Sequence, residues 1–231
     1  MAESIRLNKL LAQQLGVGRR QADQLIESGR VSVNGQTVRL GQQIGEHDTI
    51  TLNGQTLKMT APAYIYLALN KPVGYVCSRR QQGDAPTIYS LLPKKYHHLQ
   101  PVGRLDKDSS GLLLLTNDGD FALRMTHPRF HKTKTYEVTL DKPLQPNDRQ
   151  AIHDHGIELP DGRSKLRLEP IDKQDRTWCV IMHEGRNRQI RRTFAALGYT
   201  VVRLHRTKFG AIVLGSLAKG RHVGLNTPEA Q

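Results

Sequence analysis

The sequence predicts an α+β protein in two parts: a small helical and hairpin module, then a larger domain with a mixed, mainly antiparallel sheet. Three observations carry this. Near the amino terminus apolar residues recur at helical spacing and then switch to a period of two. Beyond residue 64 strand-like runs outnumber helical ones and do not alternate strictly with them, which disfavours a parallel βαβ sheet. Between these regions, residues 59–63 are aperiodic and contain a proline, so they read as a linker. The module spans 1–58 and the larger domain 64–231.

Leu7, Leu10, Leu11 and Leu15 mark the core face of a first helix, which Gly16 and Gly18 stop. Ala22, Leu25 and Ile26 mark a second, with Gly29 as a left-handed cap and Arg19 and Arg20 exposed at its start. Val31 and Val33 lead into Asn34-Gly35, and Ile50 and Leu52 into Asn53-Gly54. Both dipeptides suit tight hairpins, because Asn and Gly tolerate positive φ. In the larger part, 64–69 reads as a strand ending in a turn at Asn70-Lys71-Pro72-Val73-Gly74. Further strands are expected at 111–116, 135–140, 165–168, 177–182 and 200–204, with helices at 120–126, 146–153 and 188–197. Four successive leucines, Leu112 to Leu115, indicate a strand buried on both faces.

The 34 Lys/Arg exceed the 21 Asp/Glu, giving a net charge of +13. A soluble protein that basic meets a polyanion, nucleic acid first. The charge is uneven: 1–58 holds seven basic residues against five acids, whereas 183–222 holds nine against Glu184 alone. No run approaches the roughly 20 apolar residues of a spanning helix, and the opening residues lack the apolar core of a secretory signal. Cys77 and Cys179 stand far apart and outside any metal-ligand spacing. A cytoplasmic protein without a disulfide framework is expected.

Two segments carry chemistry. In Gly103-Arg104-Leu105-Asp106-Lys107-Asp108 a loop precedes the leucine strand, and a loop held by a rigid core is where catalytic groups are commonly mounted. An Asp in a Gly-flanked loop is ordinarily a turn former, and the pattern alone does not choose Asp106 over Asp108, Asp118 or Asp120. In His183-Glu184-Gly185-Arg186 through Gly198, Ile190, Phe194 and Leu197 define a helix core face, and Arg188, Arg191 and Arg192 share another. Three guanidiniums so placed repel unless anions, phosphate or buried carboxylate, sit among them. His127 and His131 have the spacing of a helical metal pair, but Pro128 intervenes and no third ligand follows; no metal site is expected.

The run from Arg6-Leu7-Asn8-Lys9 to Val33-Asn34-Gly35 resembles the RNA-binding module named after small-subunit ribosomal protein S-four. Asn70-Lys71-Pro72-Val73-Gly74, Gly103-Arg104-Leu105-Asp106 with its leucines, Lys134-Thr135-Tyr136, Glu184-Gly185-Arg186 with Gln189-Ile190-Arg191-Arg192, and Leu204-His205-Arg206 leading to Gly210 resemble the pseudouridine synthases. The likeness is to the RsuA-type branch (RsuA, RluB, RluE, RluF) that modifies ribosomal RNA. It covers about 64–225 and keeps the family's order.

The resemblance implies that Asp106 is the essential aspartate and that Tyr136 packs against a flipped base. It further implies that Arg191 ion-pairs with the catalytic carboxylate, that Arg104 helps extrude the nucleotide and that Leu204 lines the pocket. Arg6, Lys9, Arg19, Arg20, Arg30, Arg186, Arg188 and Arg192 are the expected RNA contacts; Arg188 stands where many relatives have His. The implied reaction breaks the uridine N1–C1′ bond, turns the ring and rejoins it through C5. Nothing is oxidised or hydrolysed, so no cofactor, metal or nucleotide energy source is called for. Asp106 serves as nucleophile at C1′ or as base at C2′, and extruding the base costs a few kcal/mol. The implied partner of this monomer is ribosomal RNA or a ribosomal subunit assembly intermediate, with no membrane. Keeping the first module and ending soon after Gly224 favours the small subunit; the alternatives are large-subunit RNA or a non-catalytic assembly factor. A glycosidase or nuclease is disfavoured, because no second carboxylate or metal cluster stands out.

Overall fold

A computed structural model describes residues 4–60, 63–81 and 83–226. The opening three residues, Ala61 and Pro62 of the expected linker, and 227–231 lie outside the described residues. The chain divides into two compact units, Met1–Tyr64 and Ile65–Gln231.

The first unit runs β1 (Ile5–Arg6), α1 (Leu7–Leu15), α2 (Arg19–Glu27), β2 (Val31–Val33), β3 (Gln36–Thr37), β4 (Gln43–Ile44), β5 (Ile50–Leu52) and β6 (Gln55–Thr56). α1 turns Leu7, Leu10 and Leu11 inward and ends at left-handed Gly16, whose N–H donates to the Ala12 carbonyl. α2 follows Gly18, whose N–H donates to the Gln21 side chain, and buries Ala22 and Ile26. Asn34-Gly35 and Asn53-Gly54 all have positive φ, 52° and 78° in each pair, as tight hairpins demand. Leu7, Leu11, Ala22, Ile26, Val31 and Ile50 form one buried cluster, each large side chain contributing about 1.5–3 kcal/mol. Thr60, within the expected linker, donates its N–H and hydroxyl to Gln14 and accepts from that amide, so it is tied to α1.

The second unit runs β7 (Tyr66–Lys71), β8 (Gln100–Val102), β9 (Ser110–Thr116), α3 (Gly119–Thr126), β10 (Lys134–Leu140), α4 (Pro146–Gln150), β11 (Ile157–Leu159), β12 (Gly162–Ser164), β13 (Arg167–Pro170), β14 (Thr177–Met182), α5 (Gln189–Ala195), β15 (Val201–Phe209), β16 (Ile212–Val213) and β17 (His222–Gly224). Its main sheet has the order β13-β14-β10-β15-β9-β7-β17, with β8 on β9 and β16 on β15. β9 and β15 pair in parallel and the other neighbours antiparallel.

The leucine run lies in β9 and is at most 1% exposed. Leu113 and Leu115 enter a cluster with Leu67, Val138 and Trp178, whereas Leu112 and Leu114 enter one with Phe121, Met125 and Phe209. Alternation across two dry faces is why the run is unbroken by polar residues.

Several bounds differ from expectation. β7 continues through Asn70 and Lys71, within the expected turn, because their backbones pair with Leu112 and Gly111 of β9 and Asn70 also exchanges backbone bonds with Arg221 and Gly220, just before β17. β15 extends to Phe209, held by β10, β9 and β16 although its own pattern turns polar at His205. α4 widens into a π turn at Ala151–His155. α5 starts at Gln189, since Arg188 is left-handed, φ 47°, and stands outside the helix.

Candidate active site

The loop between β8 and β9 is pinned at almost every residue. Lys71, at the end of β7, is fully buried, and its ammonium donates to the carbonyls of Pro72, Asp106 and Ser109 at 3.0, 2.9 and 2.7 Å. Burial pushes that ammonium below the usual lysine range, with the charges of Cys77, Asp106 and Asp108 acting the other way. Leu105 is buried and exchanges contacts with Cys77 Sγ. Gly74 N–H donates to Lys107 O at 2.7 Å, and Gly103 has φ 69°. Gly111 lies inside β9 rather than in the loop. Its φ is 105°, and a Cβ there would stand 2.2 Å from the Arg206 carbonyl, so glycine lets β9 and β15 approach.

This frame distinguishes the four aspartates. Asp118 caps α3, accepting from Asp120 and Phe121 N–H groups and from the Tyr66 hydroxyl. Asp120 sits in the first turn of that helix. Asp108 receives Arg188 through two parallel bonds of 3.0 and 2.8 Å, with Arg191 Nε 3.2 Å away. Asp106 is the aspartate that lines the cavity. The cation beside it is Arg188, Nη1 3.8 Å from Oδ2.

The expected Arg191–Asp106 ion pair is therefore replaced. Arg191 donates to Val201 O at 2.6 Å and to the Asp108 carbonyl at 2.8 Å, and its charge lies against the Asp108 carboxylate. The reason is local: left-handed Arg188 leaves the helix and swings toward the loop, and Arg191, one turn in, meets the loop's far end. The three arginines do not share one face either. Arg192 forms a two-bond fork with Asp161 at 3.0 and 2.7 Å. Arg186 donates to the Asp161 carboxylate in the β11–β12 turn and to the Gly162 and Arg163 carbonyls of β12. Asp108 and Asp161 each take up two of these arginines, and both are held below the usual range, Asp161 chiefly by the bonds from Arg192; for Asp108 burial pulls upward and is outweighed by Arg188 and Arg191.

The cavity, about 440 Å³, is of the size of small-molecule sites. Asp106, exposed Arg104, Tyr136, Leu204 and Arg188 line it, together with Lys134, Arg206 and Phe209. Tyr136 and Leu204 are 8% and 7% exposed, so the walls they form are nearly dry. Arg191 and Arg192 are not in the lining. In the first unit Arg6, Arg19, Arg20 and Arg30 are exposed and Lys9 is half-buried, with Arg30 donating to Asn53.

Sequence reasoning left Asp108 as an alternative to Asp106 and quoted Lys71, Lys134 and Arg206 only as motif members, and it gave none of these, nor Cys77, a role in the site. Buried cations carry little sequence signal, because Lys and Arg are ordinarily exposed. Among the described residues no group of three His, Cys, Asp or Glu is placed to hold a metal, and no helix is long and apolar enough to cross a membrane.

Residues 65–196 match the family described as RNA pseudouridylate synthase, and 5–50 match the S4 domain. The chain is 37% identical to a Yersinia pestis protein named ribosomal small subunit pseudouridine synthase A, over 97% of this chain and 96% of that one. It is 36% identical to a Bacillus subtilis protein named ribosomal large subunit pseudouridine synthase B, covering 95% and 89%. A crystal structure titled pseudouridylate synthase superposes with a TM-score of 0.69 at 38% identity, covering 98% of each chain.

Proposed function

The chain belongs to the RNA pseudouridylate synthase family, and from that membership we propose that it isomerises one uridine of small-subunit ribosomal RNA. It acts as a cytoplasmic monomer, on the RNA or on a subunit assembly intermediate. Asp106 supplies the carboxylate that works at C1′ or C2′ of the extruded nucleotide. Tyr136 packs on the uracil, Leu204 closes the apolar side, and Arg104 at the rim fills the stack from which the base has left. Arg188, with Nη1 3.8 Å from its Oδ2, is the cation that pairs with Asp106; Arg191 serves by holding the Asp108 end of the loop. The amino-terminal unit, residues 1–58 with its tether, grips RNA through Arg6, Lys9, Arg19, Arg20 and Arg30. Two arginines in the first turn of α2 oppose the helix dipole, a cost that an RNA phosphate at that end offsets.

The observation that carries the reading is the division of labour among the aspartates: Asp108 and Asp118 are consumed by arginines and a helix cap, while Asp106 faces the cavity beside Tyr136. Small-subunit RNA is favoured by the Yersinia relative and by further small-subunit synthases at 36–40% identity. The test is to map pseudouridines in ribosomal RNA from cells lacking the protein. One small-subunit position is expected to revert to uridine, restored by the wild-type chain and not by Asp106→Asn. A missing large-subunit position would move the target; an unchanged map would refute the function.

A further inference from the structure

The inner wall of the cavity holds two cations to which the scheme above gives no task. Lys134, opening β10, is 9% exposed, and Arg206, in β15, is 2% exposed. Both line the cavity that Asp106 and Tyr136 line. Arg206 Nε donates to the Leu112 carbonyl at 2.7 Å, but its Nη2 is buried without a partner. The guanidinium lies 4.9 Å from the Phe209 ring centre and 6.0 Å from that of Tyr136. The Lys134 ammonium lies 5.4 Å from the same Phe209 ring, with no hydrogen bond or ion pair among the described residues. The nearby acid, Glu184, accepts from Gln189 and pairs with Arg186 at 3.3 Å. Burial and the Arg206 charge both push the Lys134 ammonium below the usual lysine range, opposed by Glu184.

Two neighbouring buried cations without a carboxylate of their own destabilise a fold. Such an arrangement persists where an anion arrives during the working cycle. The reaction supplies one. If Asp106 attacks C1′, a C–O bond forms as C1′–N1 breaks; if it takes the C2′ proton, a C1′–C2′ double bond forms instead. On either route the C1′–N1 electron pair leaves with the uracil, whose charge spreads over N1, O2 and O4. C5 then bonds to C1′ as the Asp106–C1′ bond breaks or, on the other route, as Asp106 returns its proton to C2′; C5 then gives up its proton to water and N1 takes one up.

Resting on the pseudouridine synthase reading, we propose that Lys134 and Arg206 form a cationic hole for the detached uracil anion, holding its ring oxygens while the ring turns from N1 to C5. A flat ring edge reaches donors this deep. A backbone phosphate, tethered to ribose on both sides, does not.

The experiment compares wild type, Lys134→Met and Lys134→Arg in single turnovers on a ribosomal RNA substrate, with the target either uridine or 5-fluorouridine, whose ring leaves more readily as an anion. Lys134→Met should slow N1–C1′ cleavage about 100-fold on uridine, the effect of removing one preorganised donor. RNA affinity should be unchanged and the melting temperature at or above wild type, while Lys134→Arg recovers most of the rate. On 5-fluorouridine the deficit should shrink. A wild-type rate in Lys134→Met, an equal deficit on both rings, or a loss confined to RNA affinity (a phosphate contact) would overturn the hole while leaving Asp106 in place. No pseudouridine from the wild type itself would overturn the functional reading, and this inference with it.

Discussion

Lys71 puts an ammonium in the dry interior and spends its three donors on three carbonyls, one of them that of Asp106. Removing it strands buried acceptors at about 1–3 kcal/mol each. Lys71→Met is therefore expected to lose about 3 kcal/mol in urea unfolding, and its activity with it; an unaffected midpoint would show that the loop needs no such anchor. Asp108 gives a pH signature. Burial would raise its carboxyl, but the bonds from Arg188 and the charges of Arg191 and Arg188 hold it below the ordinary value. A lowered acid stabilises the fold above its unfolded value, about 3.9, and loses that contribution as pH falls through the lower folded value. Asp108→Asn should thus narrow the difference in melting temperature between pH 7 and pH 3, and an unnarrowed difference would mean the arginines contribute nothing there. At this scale the sequence was only partly legible. Asp118 carries a readable signal, an aspartate just before a helix, and could have been set aside. Arg188 reaches both Asp106 and Asp108 but forks onto the second, leaving Asp106 to line the cavity, and that depends on Arg188 adopting a left-handed backbone.

Among the elements, β9 is the one the loop depends on. It pairs in parallel with β15 where Gly111 faces Arg206, and a Cβ would sit 2.2 Å from a carbonyl oxygen at a φ that L residues rarely adopt. Gly111→Ala should cost more than about 3 kcal/mol or yield insoluble protein; a normal melting curve would contradict the close approach. Leu113→Ala, in the same strand, should cost about 2–5 kcal/mol in denaturant unfolding. The leucine run, the Asn-Gly hairpins and the two amino-terminal helices were legible because each obeys a local period or turn rule. The second half of β15 was not, since His205-Arg206-Thr207-Lys208 has no apolar alternation and is extended only because β10, β9 and β16 bind it. Tertiary pairing overrode local pattern there.

For the whole molecule, composition had most to say. A net charge of +13 calls for a polyanion, and separate buried clusters in residues 1–64 and 65–231 agree with two folding units. Sequence alone did not reveal how much of the basic run is neutralised internally: Asp161 and Asp108 take up Arg186, Arg188, Arg191 and Arg192. A share of the salt-sensitive RNA grip should then come from Arg19 and Arg20 of the first unit, both exposed. The pair Arg19→Ala/Arg20→Ala is expected to lower the slope of log affinity against log salt by about 1–2 without altering the bond-breaking step; an unchanged slope would place the phosphates elsewhere. Everything converges on one lone carboxylate rearranging an extruded uridine. The direct test uses the full chain and ribosomal RNA tritiated at uracil C5, with no metal or nucleotide added. The wild type should release tritium and Asp106→Asn none, with RNA binding and melting temperature retained. Equal release by the mutant, or strand cleavage in place of release, would contradict it.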